Sequence, residues 1–152
     1  MAYKLWTAGD VLTADDLNNS FDASGWTSYT PTLSGLTLGT GGVMTARYAQ
    51  IGKTLLLEFL ITFGTGGAIP SQPSITVPSG KNIKTAMYGG GFGTIYNAST
   101  NYPMLVTNNG ATSLAFYIMN SAGTYVSWTG PAGVFTIASG NQLSFRAFYE
   151  VA

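Results

Sequence analysis

The chain has neither cysteine nor histidine, and only 8% of its 152 residues are charged. Without cysteine there is no disulfide, no thiolate nucleophile and no cysteine-ligated zinc. Without histidine the commonest proton carrier at neutral pH and the commonest metal ligand are missing. Most familiar hydrolase sites are thereby excluded, and no cofactor or metal is expected. Six Lys plus Arg balance six Asp plus Glu, so the formal net charge is zero. That leaves no cluster of cations to neutralise a phosphate backbone, and nucleic acid is not an expected partner. No run of 18 apolar residues occurs. The opening Met1-Ala2-Tyr3-Lys4-Leu5-Trp6-Thr7 lacks a signal peptide's apolar stretch. Membrane insertion and export are therefore not expected of a protein made in a cytoplasm.

What is present is an ordinary apolar fraction of 45%, which excludes disorder through low hydrophobicity. Surface scaling predicts burial of about 68% of the unfolded chain's surface, enough for one core. Twenty glycines and many Thr and Ser accompany a scarcity of strong helix formers after residue 25, the predicted boundary between an N-terminal arm (1–25) and a main domain (26–152). Within the arm a short helix is predicted. Thr13 is its N-cap, Asp16 its third residue, Leu12 and Leu17 form a hydrophobic staple, and Phe21 lies one turn beyond Leu17. A helix of about ten residues is marginal alone, so it must dock, either on its own domain or on a partner.

From Trp26 onward the pattern has a period of two. Predicted strands are Trp26–Leu33, Val43–Gln50, Thr54–Phe63, Ser74–Val77, Lys84–Tyr88, Phe92–Asn97, Met104–Thr107, Thr112–Met119, Thr124–Trp128, Val134–Ala138 and Gln142–Val151. Many short strands separated by glycine and asparagine turns indicate a mainly β fold, an antiparallel β-sandwich or jelly roll. In Gln142–Val151 the apolar face is Leu143, Phe145, Ala147, Tyr149 and Val151, interrupted on the other side only by Phe148. In Thr54–Phe63 one face is Leu55, Leu57, Phe59, Ile61 and Phe63, while the other carries Leu56 and Leu60 beside Thr54, Glu58 and Thr62. That second face is too apolar for plain exposure in so weakly charged a chain. Leu56 and Leu60 are therefore expected in a subunit interface of a symmetric homo-oligomer, unless another segment of the chain covers them.

Chemistry finds little support. The glycine runs lack the Lys-Ser/Thr and following helix of a phosphate loop, and Gly89-Gly90-Gly91-Phe92-Gly93 reads as a turn or bulge in β sequence. Asp10, Asp15, Asp16 and Asp22 lack calcium-loop spacing and fit capping and solvation. Glu58 and Glu150 are the only other acids, on strands that define the core, and no catalytic residue or enzymatic activity is expected. The aromatic-flanked polar segment 97–102 is the candidate ligand loop. Tyr96 and Tyr102 would supply flat rings for a sugar face, and Asn97 and Asn101 would bond its hydroxyls.

Several phrases carry a family likeness. Trp6-Thr7-Ala8-Gly9-Asp10-Val11-Leu12-Thr13-Ala14-Asp15-Asp16-Leu17-Asn18 resembles the opening of many tailed-bacteriophage minor tail and tail-fibre proteins. Trp26-Thr27-Ser28-Tyr29-Thr30-Pro31-Thr32-Leu33, Arg47-Tyr48-Ala49-Gln50-Ile51-Gly52-Lys53 and Phe148-Tyr149-Glu150-Val151 are similar to such proteins too. The resemblance covers roughly the first forty percent of the chain and its last strand. It implies a virion structural component, commonly a homotrimer, whose N-terminal segment fastens to other phage structural proteins while a β domain is displayed toward the host surface and its glycans. Carried over, it makes Trp6, Val11, Leu12 and Leu17 the attachment residues, with Phe21 completing their stripe. The chain departs from a fibre in having no shaft or repeats. A small tail-tip or baseplate piece, a capsid (head) decoration protein and a stand-alone carbohydrate-binding module therefore stay open.

Overall fold

A computed structural model describes residues 9, 11, 25–84, 90–97, 100–120, 122–127 and 136–152. Among them there is no helix, and the predicted helix of the arm lies outside the described residues. The elements are β1 (Thr27–Ser28), β2 (Leu33–Ser34), β3 (Val43–Ile51), β4 (Thr54–Thr62), β5 (Ser74–Thr76), β6 (Gly90–Asn97), β7 (Thr100–Asn108), β8 (Ser113–Met119), β9 (Tyr125–Ser127) and β10 (Gln142–Glu150). They form one antiparallel sheet in the order β1-β3-β4-β10-β6-β7-β8-β5-β2, with β9 beside β5 along the free edge of β8.

The sheet curls because its two ends are tied together. The sequence pattern predicts one strand over Trp26–Leu33, but Pro31 has no N–H to give a ladder, and the segment divides into β1 and β2 at opposite ends of the sheet. At one side Tyr29 N–H donates to Ala46 at 3.0 Å. At the other, Thr32 N–H donates to the Thr76 hydroxyl at 2.9 Å and Thr76 N–H donates back to Thr32 at 3.1 Å. The four residues from Tyr29 to Thr32 thus bridge from β3 to β5 and draw the edges together over a common core.

That core is the alternation of β4 and β10 read directly. Leu55, Leu57, Phe59, Ile61 and Phe63 are buried, as are Leu143, Phe145, Ala147 and Tyr149. Phe145 meets Phe59 with ring centroids 5.0 Å apart and Phe116 of β8 at 4.9 Å, joining the two halves of the curl. Burial pushes the Tyr29 and Tyr149 phenols well above their usual range, and the Tyr149 hydroxyl donates to Lys81 O at 3.0 Å.

One glycine run has another role than the one expected of it. Gly90, Gly91 and Gly93 lie within β6, paired in unbroken register with β10 on one side and β7 on the other, so there is neither turn nor bulge from Gly90 to Gly93, and Gly89 lies outside the described residues. A Cβ at Gly91 would stand 2.1 Å from Arg146 O, and one at Gly93 would stand 2.3 Å from Ser144 O. Their bareness lets β6 close on β10. The loops at Gly39 and Gly64 separate strands, as expected, and also pair with each other through Thr37 with Ala68 and Thr40 with Thr65. The strand predicted at Thr124–Trp128 is present as β9, residues 136–138 of the segment predicted at Val134–Ala138 lie in no strand, and of Lys84–Tyr88 only Lys84 is among the described residues.

Candidate functional site

Because side chains alternate and the register is continuous, one row crosses the outer face of the sheet. Arg47 of β3 stands opposite Glu58 of β4, Glu58 opposite Arg146 of β10, and Arg146 opposite Phe92 of β6. Cross-strand neighbours on one face lie within reach of an ion pair. Arg146 Nε and Nη2 donate to Glu58 Oε1 at 2.9 and 2.7 Å, and Arg47 pairs with Glu58 Oε2. The Arg47 guanidinium also lies 4.9 Å from the centroid of the Trp26 ring.

Leu56 and Leu60 flank this row on β4, and the structure places both on the outer face. Leu56 is half-buried, while Leu60 is 39% exposed. Phe148, directly opposite Leu56, is 57% exposed, and Phe92 is 70% exposed. Two adjoining grooves share the charged row. One of about 710 Å³ is walled by Thr45, Leu60, Phe92, Thr94 and Ser144, and one of about 450 Å³ by Trp26, Leu56, Gly91 and Phe148. The first has the volume of a small-ligand site, though it is open on one side.

The hydrogen bonds from Arg146, and then those from Arg47, hold the Glu58 carboxyl below the usual carboxylate range against the opposing effect of burial. Lys84, whose Nζ lies 2.8 Å from Glu150 Oε1, lowers that carboxyl in turn. Neither group therefore has the raised pKa of a carboxyl kept protonated as a general acid at neutral pH. Since the folded Glu58 pKa lies below the unfolded value, its stabilisation is present above the ordinary carboxylate range and lost as pH falls through the folded value. The partly exposed pair is worth under about 1 kcal/mol. Glu58→Gln is expected to lower stability by that much at neutral pH. The gap to wild type should shrink in thermal midpoints taken at progressively lower pH below the ordinary carboxylate range, and a gap that stays constant to the acid limit of folding would mean the ion pair is not its source.

The four residues expected at one ligand loop do not converge. Residues 97–102 belong mostly to the β6–β7 hairpin, in which Asn97 pairs with Thr100 and only positions 98 and 99 lie between the strands. Tyr96 and Asn101 stand opposite each other on the outer face, whereas Asn97 and Tyr102 share the parity of Ile95, and Tyr102 packs against the core. Among the attachment residues, Val11 is 77% exposed, and Trp6, Leu12, Leu17 and Phe21 lie outside the described residues.

Sequence reasoning missed Trp26, Arg47, Phe92 and Arg146 as members of a site. The one available signal was Phe148, which breaks the alternation of its strand; the rest depends on which strands become neighbours. Among the described residues no group of His, Cys, Asp and Glu could hold a metal ion, and no helix is long and apolar enough to cross a membrane. No protein-family model, curated protein or solved structure matches the chain.

Proposed function

We propose that the chain is a non-enzymatic structural component of a tailed-phage virion, of the minor tail or fibre type. In this reading it is a homotrimer, fastened to other phage structural proteins by residues 1–25, with its β domain turned toward the host surface. The curled sheet is then an antiparallel sandwich or jelly roll whose layers meet where Phe59 and Phe116 stand 6.3 Å apart, preceded by the short helix of the arm. The observation that carries the reading is the outer face of β3, β4, β10 and β6. Leu60, Phe92 and Phe148 are exposed there in a chain with 8% charged residues, and a lone soluble domain has little reason to keep such a patch. The phrases from Trp6 to Asn18 and from Trp26 to Leu33 support the phage assignment by resemblance.

Light scattering of the purified chain tests the oligomer. A mass three times 15.9 kDa is expected, falling toward one chain when Leu60 and Phe148 are both replaced by serine. A single-chain mass for the wild type rejects the trimer. For attachment, removal of residues 1–24 should leave a folded domain that no longer joins particles; loss of folding instead would count against a separate anchor. A stand-alone carbohydrate-binding module is the second reading. It is favoured by the exposed Phe92 beside the hydroxyls of Thr94, Ser144 and Thr45, and by the outward pair Tyr96 and Asn101. Binding of the monomeric chain on a glycan array would move the assignment there.

A further inference from the structure

The net charge of zero conceals a division along the chain. Residues 1–25 hold Asp10, Asp15, Asp16 and Asp22 against Lys4, a side-chain charge of three negative. Residues 26–152 hold Arg47, Lys53, Lys81, Lys84 and Arg146 against Glu58 and Glu150, three positive. On the outer face the charged row carries two guanidinium groups for one carboxylate, with an apolar groove on either side. We propose that this face receives the acidic segment 12–22 of a second copy of this chain. The proposal deepens the oligomeric reading above and rests on it.

Three observations select this occupant. The segment offers what the face lacks, since Leu12, Leu17 and Phe21 match grooves walled by Leu56, Leu60, Phe92 and Phe148, and Asp15, Asp16 and Asp22 match the excess cation. Pairing the face with itself would instead bring together two rows that each carry an excess cation, a like-charge excess that disfavours association. In the single chain Leu60, Phe92 and Phe148 remain exposed, as does Val11. An arm laid on the next subunit is a heterologous contact, and such contacts close into rings when the rotation permits. The residues before position 12, Trp6 and Val11 among them, would then be left for the particle. Trp26, which follows the arm in sequence, lines the second groove, and this makes docking within one chain the competing outcome.

The test uses the full chain. Light scattering across protein concentration is combined with amide hydrogen exchange over residues 12–22, for the wild type, for Asp15→Lys with Asp16→Lys, for Leu17→Ser with Phe21→Ser, and for the lysine pair combined with Arg146→Glu. The expected result is a multiple mass with the segment protected. Both arm variants should raise the concentration of half-assembly by about tenfold or more, and Arg146→Glu should recover part of the loss in the lysine variant. A multiple mass unchanged by both arm variants overturns the proposal while leaving the oligomer standing on another surface. A single-chain mass with the segment protected means docking within one chain, and a single-chain mass with the segment exchanging freely means no docking; either overturns both readings.

Discussion

Gly91→Ala is expected to cost about 3 kcal/mol or more, lowering the urea midpoint by about 2 M for a domain of this size. The added Cβ would meet Arg146 O at 2.1 Å and Ala147 Cα at 2.6 Å. Both are backbone atoms of β10, so no side chain can swing aside to make room. Relief requires β6 to move off β10, and β10 is the strand that joins β4 to β6 in the middle of the sheet. Gly90→Ala is the control. Its Cβ would meet only Val106 O, at an ordinary 3.5 Å, and the change should stay within about 0.5 kcal/mol. Equal losses at the two positions in denaturant titrations would show that the close approach of β6 to β10 is not what glycine serves here.

Phe145→Ala is expected to cost about 3–5 kcal/mol, combining lost burial with a cavity that the surrounding sheet cannot collapse into. Phe145 is buried and touches the rings of both Phe59 and Phe116, from β4 and β8, which do not pair with each other in the sheet. Its removal therefore loosens the contact between the two halves of the curl. Phe148→Ala on the same strand changes a side chain of the same size on the opposite face. It should leave the unfolding free energy of the single chain within about 0.5 kcal/mol and show itself in the solution mass instead. A thermal or denaturant series in which the two substitutions cost alike would contradict the assignment of faces.

Much of the fold is legible without coordinates. The alternation in β4 and β10 names the core residues correctly, because a half-buried antiparallel strand shows its inner face by position alone. The strand predicted over Trp26–Leu33 fails for a local reason, Pro31, and for a distant one, since its two halves serve opposite ends of one sheet. The loop predicted at 97–102 fails because polar residues are as acceptable on the exposed hairpin strands as in a loop. Of the candidate site, Leu56 and Leu60 are visible as excess apolar residues on the wrong parity. Glu58 between them is visible too, but nothing in its own strand says that two arginines will clamp it.

The amino-acid sequence by itself determined the mainly β character, the inward faces of the long strands, and the absence of thiol and imidazole chemistry. These follow from composition and from a period of two, which are local properties. Only the tertiary structure decided that Arg47, Glu58, Arg146 and Phe92 form one row, and that Gly91 is bare so that two backbones can close. Arg47 and Glu58 lie 11 positions apart but Glu58 and Arg146 lie 88 apart, and strand order, set by how the whole sheet curls around a shared core, is what brings them together.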